Sequence, residues 1–164
     1  MAKTISEKTN KIVNVIISLG AAVVIIGALA KIIHLSWADW ALIVGLTLEA
    51  ARRYAADGRL IVIFQPHRYS RTKAFAAEFA TVLDAADRAI VLEVYAASEK
   101  PIEGVTSKLI TSKMKKGEYI PNFVEVTDSV IEMAQPGDVI MTLGAGDVSS
   151  LAPIIVDGLN RRFA

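Results

Sequence analysis

The sequence predicts an α/β fold, a mainly parallel sheet flanked by helices, preceded by an apolar helical segment that resembles a membrane span. Two observations carry this expectation. Beyond residue 59, short apolar runs alternate with helix-length amphipathic stretches, the pattern of parallel strands joined by right-handed crossovers. Before residue 46 the chain is dominated by one uncharged run, Ile12 to Ala30, which helps to raise the hydrophobic content to 53%. The expected organisation is therefore an apolar helical segment over 1–46 and an α/β domain over 47–164.

In chain order, Ile12 to Ala30 comes first, a run of about 19 residues that would cross a bilayer as a helix. Lys3, Lys8 and Lys11 precede it and favour a cytoplasmic N-terminus. A cleaved secretory signal ending at Ala28-Leu29-Ala30 is the rival reading. Trp37 and Trp40 then suggest an interfacial turn, and Ala41 to Leu48 forms a second apolar run. As a helix from Trp40 to Ala51 it would cover only about 18 Å against roughly 30 Å of hydrocarbon. Three fates stay open for it: partial entry, packing on the first helix, or an amphipathic helix continuing to Tyr54.

The α/β half is expected as strand Leu60 to Phe64, helix Thr72 to Asp84, strand Ala89 to Val94 and helix Thr106 to Lys115. A short strand Phe123 to Val126, helix Asp128 to Ala134, strand Val139 to Thr142 and helix Ser149 to Arg162 complete it. Gln135-Pro136-Gly137-Asp138 is a strong breaker, and Thr106 and Asp128 are the expected helix caps.

Charge and composition exclude several functions. A net charge of +1 gives no support to a nucleic-acid partner. With no cysteine, disulfides and thiolate metal sites are ruled out, and His34 and His67 lie too far apart in sequence to suggest a zinc site, so no metal is expected. What remains is the turn after the first strand. Gln65-Pro66-His67-Arg68-Tyr69-Ser70-Arg71-Thr72 puts an imidazole and two guanidiniums at a strand end facing a helix N-terminus, where open α/β sheets bind ligands. Arginine suits the bidentate geometry of carboxylate and phosphate, so His67, Arg68 and Arg71 read either as an anion site or as a solvated turn. Gly144 and Gly146 similarly allow backbone amides to approach an anion, or serve only a tight turn.

The run Gly58-Arg59-Leu60-Ile61-Val62-Ile63-Phe64-Gln65-Pro66-His67-Arg68-Tyr69-Ser70-Arg71-Thr72 resembles the C-terminal domain of the UDP-N-acetylmuramate-L-alanine ligases of the Mur ligase family. Glu93-Val94-Tyr95-Ala96-Ala97-Ser98-Glu99 with Pro101, Ile102, Gly104 and Ser107 resembles that domain's second signature, and Thr142-Leu143-Gly144-Ala145-Gly146-Asp147 its last. The resemblance implies a Rossmann-like sheet whose three strand-end loops, Gln65 to Thr72, Tyr95 to Gly104 and Gly144 to Ser149, share one edge. It also implies ATP and magnesium in the parent family, and places His67, Arg68 and Arg71 against an amino-acid carboxylate or a phosphoryl group. Glu93 and Glu99 would orient an ammonium or a magnesium-bound water, or act as plain solvated caps. Tyr69 and Tyr95 would stack on a ligand or pack beside the loop.

No G-x-x-x-x-G-K-[ST] phosphate loop occurs in the chain, and membrane-like sequence stands where the family's first strand, with its Tyr-Gly-His-His-Pro run, is expected. The sheet is thus expected to lack that strand, and the chain to bind a small amino acid or phosphate without ligating alone. Gly20 to Leu29, Lys31, Ile32, His34, Leu42 to Leu46, Glu49 and Ala50 resemble the membrane hairpin of the GldL gliding-motility and type 9 secretion motor subunits. That implies Lys31, His34 and Glu49 as membrane ionisable groups, since charge at membrane depth is costly and usually functional. The alternative puts Glu49 on the wet face of a helix and His34 in a loop. A chimera is the simplest account of the two resemblances, with a cytoplasmic α/β domain and the first segment as inner-membrane anchor, as cargo carrier, or folded onto the sheet.

Overall fold

The computed structural model describes residues 38–55, 57–144 and 146–164. The chain divides into two compact units, Met1–Trp40 and Ala41–Ala164, and the second is the subject below. The expected span from Ile12 to Ala30, with Lys31 and His34, lies outside the described residues. Among the described residues no helix is long and apolar enough to cross a membrane.

Helix α1 (Ala38–Ala55) buries Val44, Leu48, Ala51 and Ala55, which recur at helical spacing and so form one apolar face. This is the amphipathic fate of the second apolar run. Glu49, which the membrane reading made an ionisable membrane group, is exposed here and accepts a hydrogen bond from Arg53 at 2.6 Å. Arg52 and Arg53 close the helix at the end where cations suit its dipole.

Four parallel strands follow, β1 (Leu60–Gln65), β2 (Arg88–Val91), β3 (Gly117–Tyr119) and β4 (Val139–Gly144), in the spatial order β3-β2-β1-β4. Central β1 is buried along its whole length, which explains its unbroken apolar sequence. Its side chains alternate between two cores. Leu60, Val62 and Phe64 pack with α1 and with α2 (Tyr69–Leu83) through Leu48, Ala76, Phe79 and Leu83. Ile61 and Ile63 pack on the other face with Val126 and Val130 of α4 (Phe123–Met133) and with Leu151 and Ile155 of α5 (Leu151–Phe163). The result is a three-layer Rossmann-like sandwich with β1 at its centre.

Several expected elements move. Phe123 to Val126 is the first turn of α4 rather than a strand, because Asn122 caps the helix by accepting from the amides of Val124 at 2.8 Å and Glu125 at 3.3 Å. Asp128 is therefore inside the helix, not at its cap. The third strand is the three-residue β3, just before it. The long helix expected from Thr106 to Lys115 contracts to the single turn α3 (Lys108–Thr111), preceded by Ser107, while Thr106 Oγ1 accepts only weakly from the Lys108 amide at 3.3 Å.

At the end of the sheet opposite the strand-end loops, two carboxylates tie the chain together. Asp87 accepts from the Leu60 amide at 2.7 Å and from Arg52. Asp138, whose side chain is only 5% exposed, accepts from Arg59 at 3.0 and 2.6 Å and from the Gln135 amide at 2.8 Å. Burial alone would push the Asp138 carboxyl up, but the Arg59 hydrogen bond and the Gln135 amide outweigh it and hold the group below its ordinary value. A lowered folded pKa means that the stabilisation is complete above the unfolded value of ~3.9 and is lost as pH falls through the folded one. Asp138→Asn is accordingly expected to cost about 1–3 kcal/mol at pH 7, and in urea melts the gap to wild type should narrow as pH falls below the ordinary carboxylate range.

Candidate functional site

The ladder between β1 and β2 continues past both strands. Leu92 donates to the Phe64 carbonyl, Tyr95 N–H to the Pro66 carbonyl and Arg68 N–H to the Tyr95 carbonyl, each at 2.8 Å, giving a parallel bridge between His67 and Tyr95. This pins the first two strand-end loops together. The third joins through Gly146, where a Cβ would stand 2.6 Å from the Tyr95 ring. Gly144 and Gly146 both have positive φ, and a Cβ on Gly144 would run into the Gln65 carbonyl, so β4 ends against β1 only with glycine there. The three loops therefore share one edge, as the sequence led us to expect.

The charged groups converge on the start of α2. The Tyr95 ring, 37% exposed, stacks on the His67 imidazole at 5.9 Å and 15°. A guanidinium nitrogen of Arg71 lies 2.8 Å from His67 Nδ1. Guanidinium only donates, so Nδ1 accepts and the ring proton of a neutral His67 sits on Nε2. Burial, then the charges of Arg71 and Arg68, push His67 below its ordinary value. Burial and Arg68 likewise lower Arg71. Two guanidiniums thus face a neutral imidazole. Arg68 Nε and Gln65 Oε1 are buried and make no hydrogen bond among the described residues, so the cluster carries unspent polar capacity.

Arg68 holds a strained backbone, φ 69 and ψ 140, at the N-cap of α2. Its carbonyl accepts from the Thr72 amide at 3.1 Å and the Thr72 hydroxyl at 2.9 Å, which fixes that conformation. Its own side chain does not cap the helix. Glu99 does so instead, accepting from Ser70 N–H at 3.0 Å and Ser70 Oγ at 2.6 Å. These bonds hold the Glu99 carboxyl below its usual range.

Glu93 has a different occupation from the one expected. It accepts from the Val94 amide at 2.7 Å, the Ser107 amide at 3.3 Å and the Tyr119 hydroxyl, and so fastens the base of the second loop to β3. Burial and that hydrogen bond push the Tyr119 phenol up to about 12. Tyr119 was not singled out from the sequence, and Ser107, Ser70 and Gln65 stood there only as members of the signatures, with no role of their own. Among the described residues no three His, Asp or Glu side chains are grouped to hold a metal ion. A shallow groove of about 500 Å³ along α4, lined by Glu125, Asp128 and Glu132, is acidic and offers nothing to an anion.

Comparison with known proteins agrees with this geometry. The family model described as Mur ligase, glutamate ligase domain, matches residues 44–146. The GldL N-terminal domain model matches the short stretch 16–51. The UDP-N-acetylmuramate-L-alanine ligase of Mycobacterium ulcerans is 50% identical over 120 residues, covering 71% of this chain and 25% of the relative. That of Paenarthrobacter aurescens is 49% identical over 112 residues, covering 68% and 24%. The chain thus spans about a quarter of the length of the curated relatives it matches. A murein peptide ligase from Psychrobacter arcticus superposes with a TM-score of 0.58 at 16% identity, over 72% of this chain and 25% of that one. A domain from Haemophilus ducreyi whose name reads UDP-N-acetylmuramate:L-alanyl-γ-D-glutamyl-meso-diaminopimelate ligase gives 0.55 at 16% identity, over 73% and 83%. At that identity the two structures speak for the fold.

The strain at Arg68 is directly measurable. Glycine adopts its φ freely, whereas alanine does not, so Arg68→Gly should be more stable than Arg68→Ala by about 1 kcal/mol in chemical denaturation. Equal stability of the two variants would show that the position is unstrained.

Proposed function

The chain belongs to the Mur ligase family, matched over residues 44–146, and from that membership we propose that residues 47–164 are the C-terminal domain of a UDP-N-acetylmuramate-L-alanine ligase of peptidoglycan biosynthesis. The domain's task is to hold a small anion, the carboxylate of an amino acid or a phosphoryl group, against the three strand-end loops. One observation carries this reading above the others: Arg68, Arg71 and His67 converge at the start of α2, where the Arg71 guanidinium orients a neutral imidazole.

The chemistry of each group follows. The two guanidiniums neutralise the anion and fix its orientation. His67, with Nδ1 engaged by Arg71, offers an Nε2 proton as a neutral donor, and its lowered pKa makes it a poor general base. The amides near Gly146, at the turn leading into α5, suit a phosphate oxygen, and Tyr95 supplies a flat wall.

In the parent family ATP supplies the phosphoryl group that activates the acid for amide formation. The donors present here fit phosphate oxygens, while Glu93 is engaged with Val94, Ser107 and Tyr119 and Glu99 with Ser70, and no phosphate-binding loop for ATP stands in the sequence. Ligation accordingly needs the rest of a ligase, and this chain contributes positioning.

Calorimetric titration of the full chain with alanine, with inorganic phosphate and with ATP plus magnesium tests the proposal. Wild type should bind at least one of them weakly, with Kd on the order of 1 mM, and Arg71→Ala should lose roughly 10-fold or more. Identical flat traces for wild type and variant would overturn it.

A further inference from the structure

The first turn of α2 already holds an anion, and that anion belongs to the chain. Ser70 presents its amide and hydroxyl, and both are taken by the two oxygens of Glu99, at 3.0 and 2.6 Å. Glu99 reaches them from the loop after β2, 29 residues away in sequence. The residues that deliver it are unusual: Ala97 and Ser98 stand side by side at positive φ, 46 and 74, without being glycine. Two consecutive left-handed residues with side chains are costly, so a loop built this way is held by what it grips. An inexpensive local cap was available to this helix, since a serine, threonine or aspartate at residue 68 would have sufficed. The position instead carries Arg68, whose charge acts on Glu99.

The electrostatics of the cluster place Glu99 among the same groups as the expected ligand. Its charge acts on both His67 and Arg71, opposite in sign to that of Arg68. Glu93, the other carboxylate of the second signature, is fully engaged with Val94, Ser107 and Tyr119. Glu99 is therefore the carboxylate of this signature whose charge acts on the guanidinium cluster, while its own hydrogen bonds go to Ser70.

We propose that Glu99 is a built-in competitor for the anion site: its carboxylate occupies the Ser70 amide and hydroxyl beside Arg68, and an anionic oxygen of the ligand displaces it on binding. This rests on the anion-site reading above. The ligand class is a carboxylate or phosphate, and the competitor sets a threshold that weak, singly contacting anions do not pass. Displacement also frees Ala97 and Ser98 from their held conformation, so the segment after Tyr95 rearranges when the site fills while the backbone bonds of Tyr95 to Pro66 and Arg68 stay in place.

Glu99→Gln tests this, because it keeps the shape and removes the charge. Titration of the full chain with inorganic phosphate and, separately, with acetate, followed through the backbone amide resonances, should show binding roughly 3- to 10-fold tighter in Glu99→Gln than in wild type. Glu99→Ala should show the same direction, which guards against an effect peculiar to the glutamine amide. The Ser70 amide should exchange with solvent faster in both variants and be re-protected by phosphate. Gain with phosphate alone would assign the site to phosphoryl groups, and gain with acetate as well would assign it to carboxylates too; either supports the proposal. Unchanged or weaker binding in both variants, while Arg71→Ala abolishes it, would overturn the competitor and leave the anion site standing. Absence of any shift in wild type, Glu99→Gln and Glu99→Ala alike would overturn both.

Discussion

The ring of Tyr95 lies between the His67 imidazole and the backbone of Gly146, while its own backbone donates to Pro66 and accepts from Arg68. Because that one residue touches the loops after β1 and β4 and belongs to the loop after β2, the geometry of the site depends on it. A parallel sheet ordinarily lets its strand-end loops diverge. Here the β1–β2 ladder extends one bridge further, and the aromatic ring carries the constraint sideways to β4. The glycines at 144 and 146 are the other half of the same contact, since any side chain there would push β4 or its following turn away from β1.

Charge is arranged around that constraint. The far end of the sheet uses ion pairs, with Asp138 taking Arg59 through both oxygens and Asp87 taking Arg52 and the Leu60 amide. The loop end has two guanidiniums, a deprotonated-type imidazole and one borrowed carboxylate, and it retains buried polar atoms that no described residue satisfies. Cohesion is therefore concentrated at one end and unspent polar capacity at the other. The strained backbone at Arg68 belongs to the second end, where such strain is commonly tolerated for function.

Much of this was legible in the sequence, for reasons that can be named. The run Leu60 to Phe64 is buried on both faces and reads as a strand without any partner, and the alternation that follows gives the parallel sheet. His67, Arg68 and Arg71 stood out because an imidazole and two guanidiniums meet in one turn at a strand end, and the resemblance to the family signature weighed for an anion site over a solvated turn. Phe123 to Val126 misled because Phe-Val-Glu-Val alternates like a strand; Asn122 three residues before Glu125 was the capping signal that should have outweighed it. Strand β3 escaped because three residues with exposed Glu118 at the centre leave no hydrophobic pattern. Glu93 read from its place in the signature either as a group orienting an ammonium or bound water or as a solvated cap. Only the folded chain shows that Ser107 and Tyr119, distant in sequence, use up its oxygens.

What matters most is whether His67, Ser70 and Gly146 behave as one anion site with a neutral imidazole at its centre. Nitrogen-15 spectra of the full chain at pH 7 report this in a single sample. The ring should show an unprotonated Nδ1 and a protonated Nε2, and added phosphate should shift that ring together with the Ser70 and Gly146 amides at one common affinity. An imidazolium at pH 7, or phosphate shifts that spare these three residues and gather elsewhere, would contradict it.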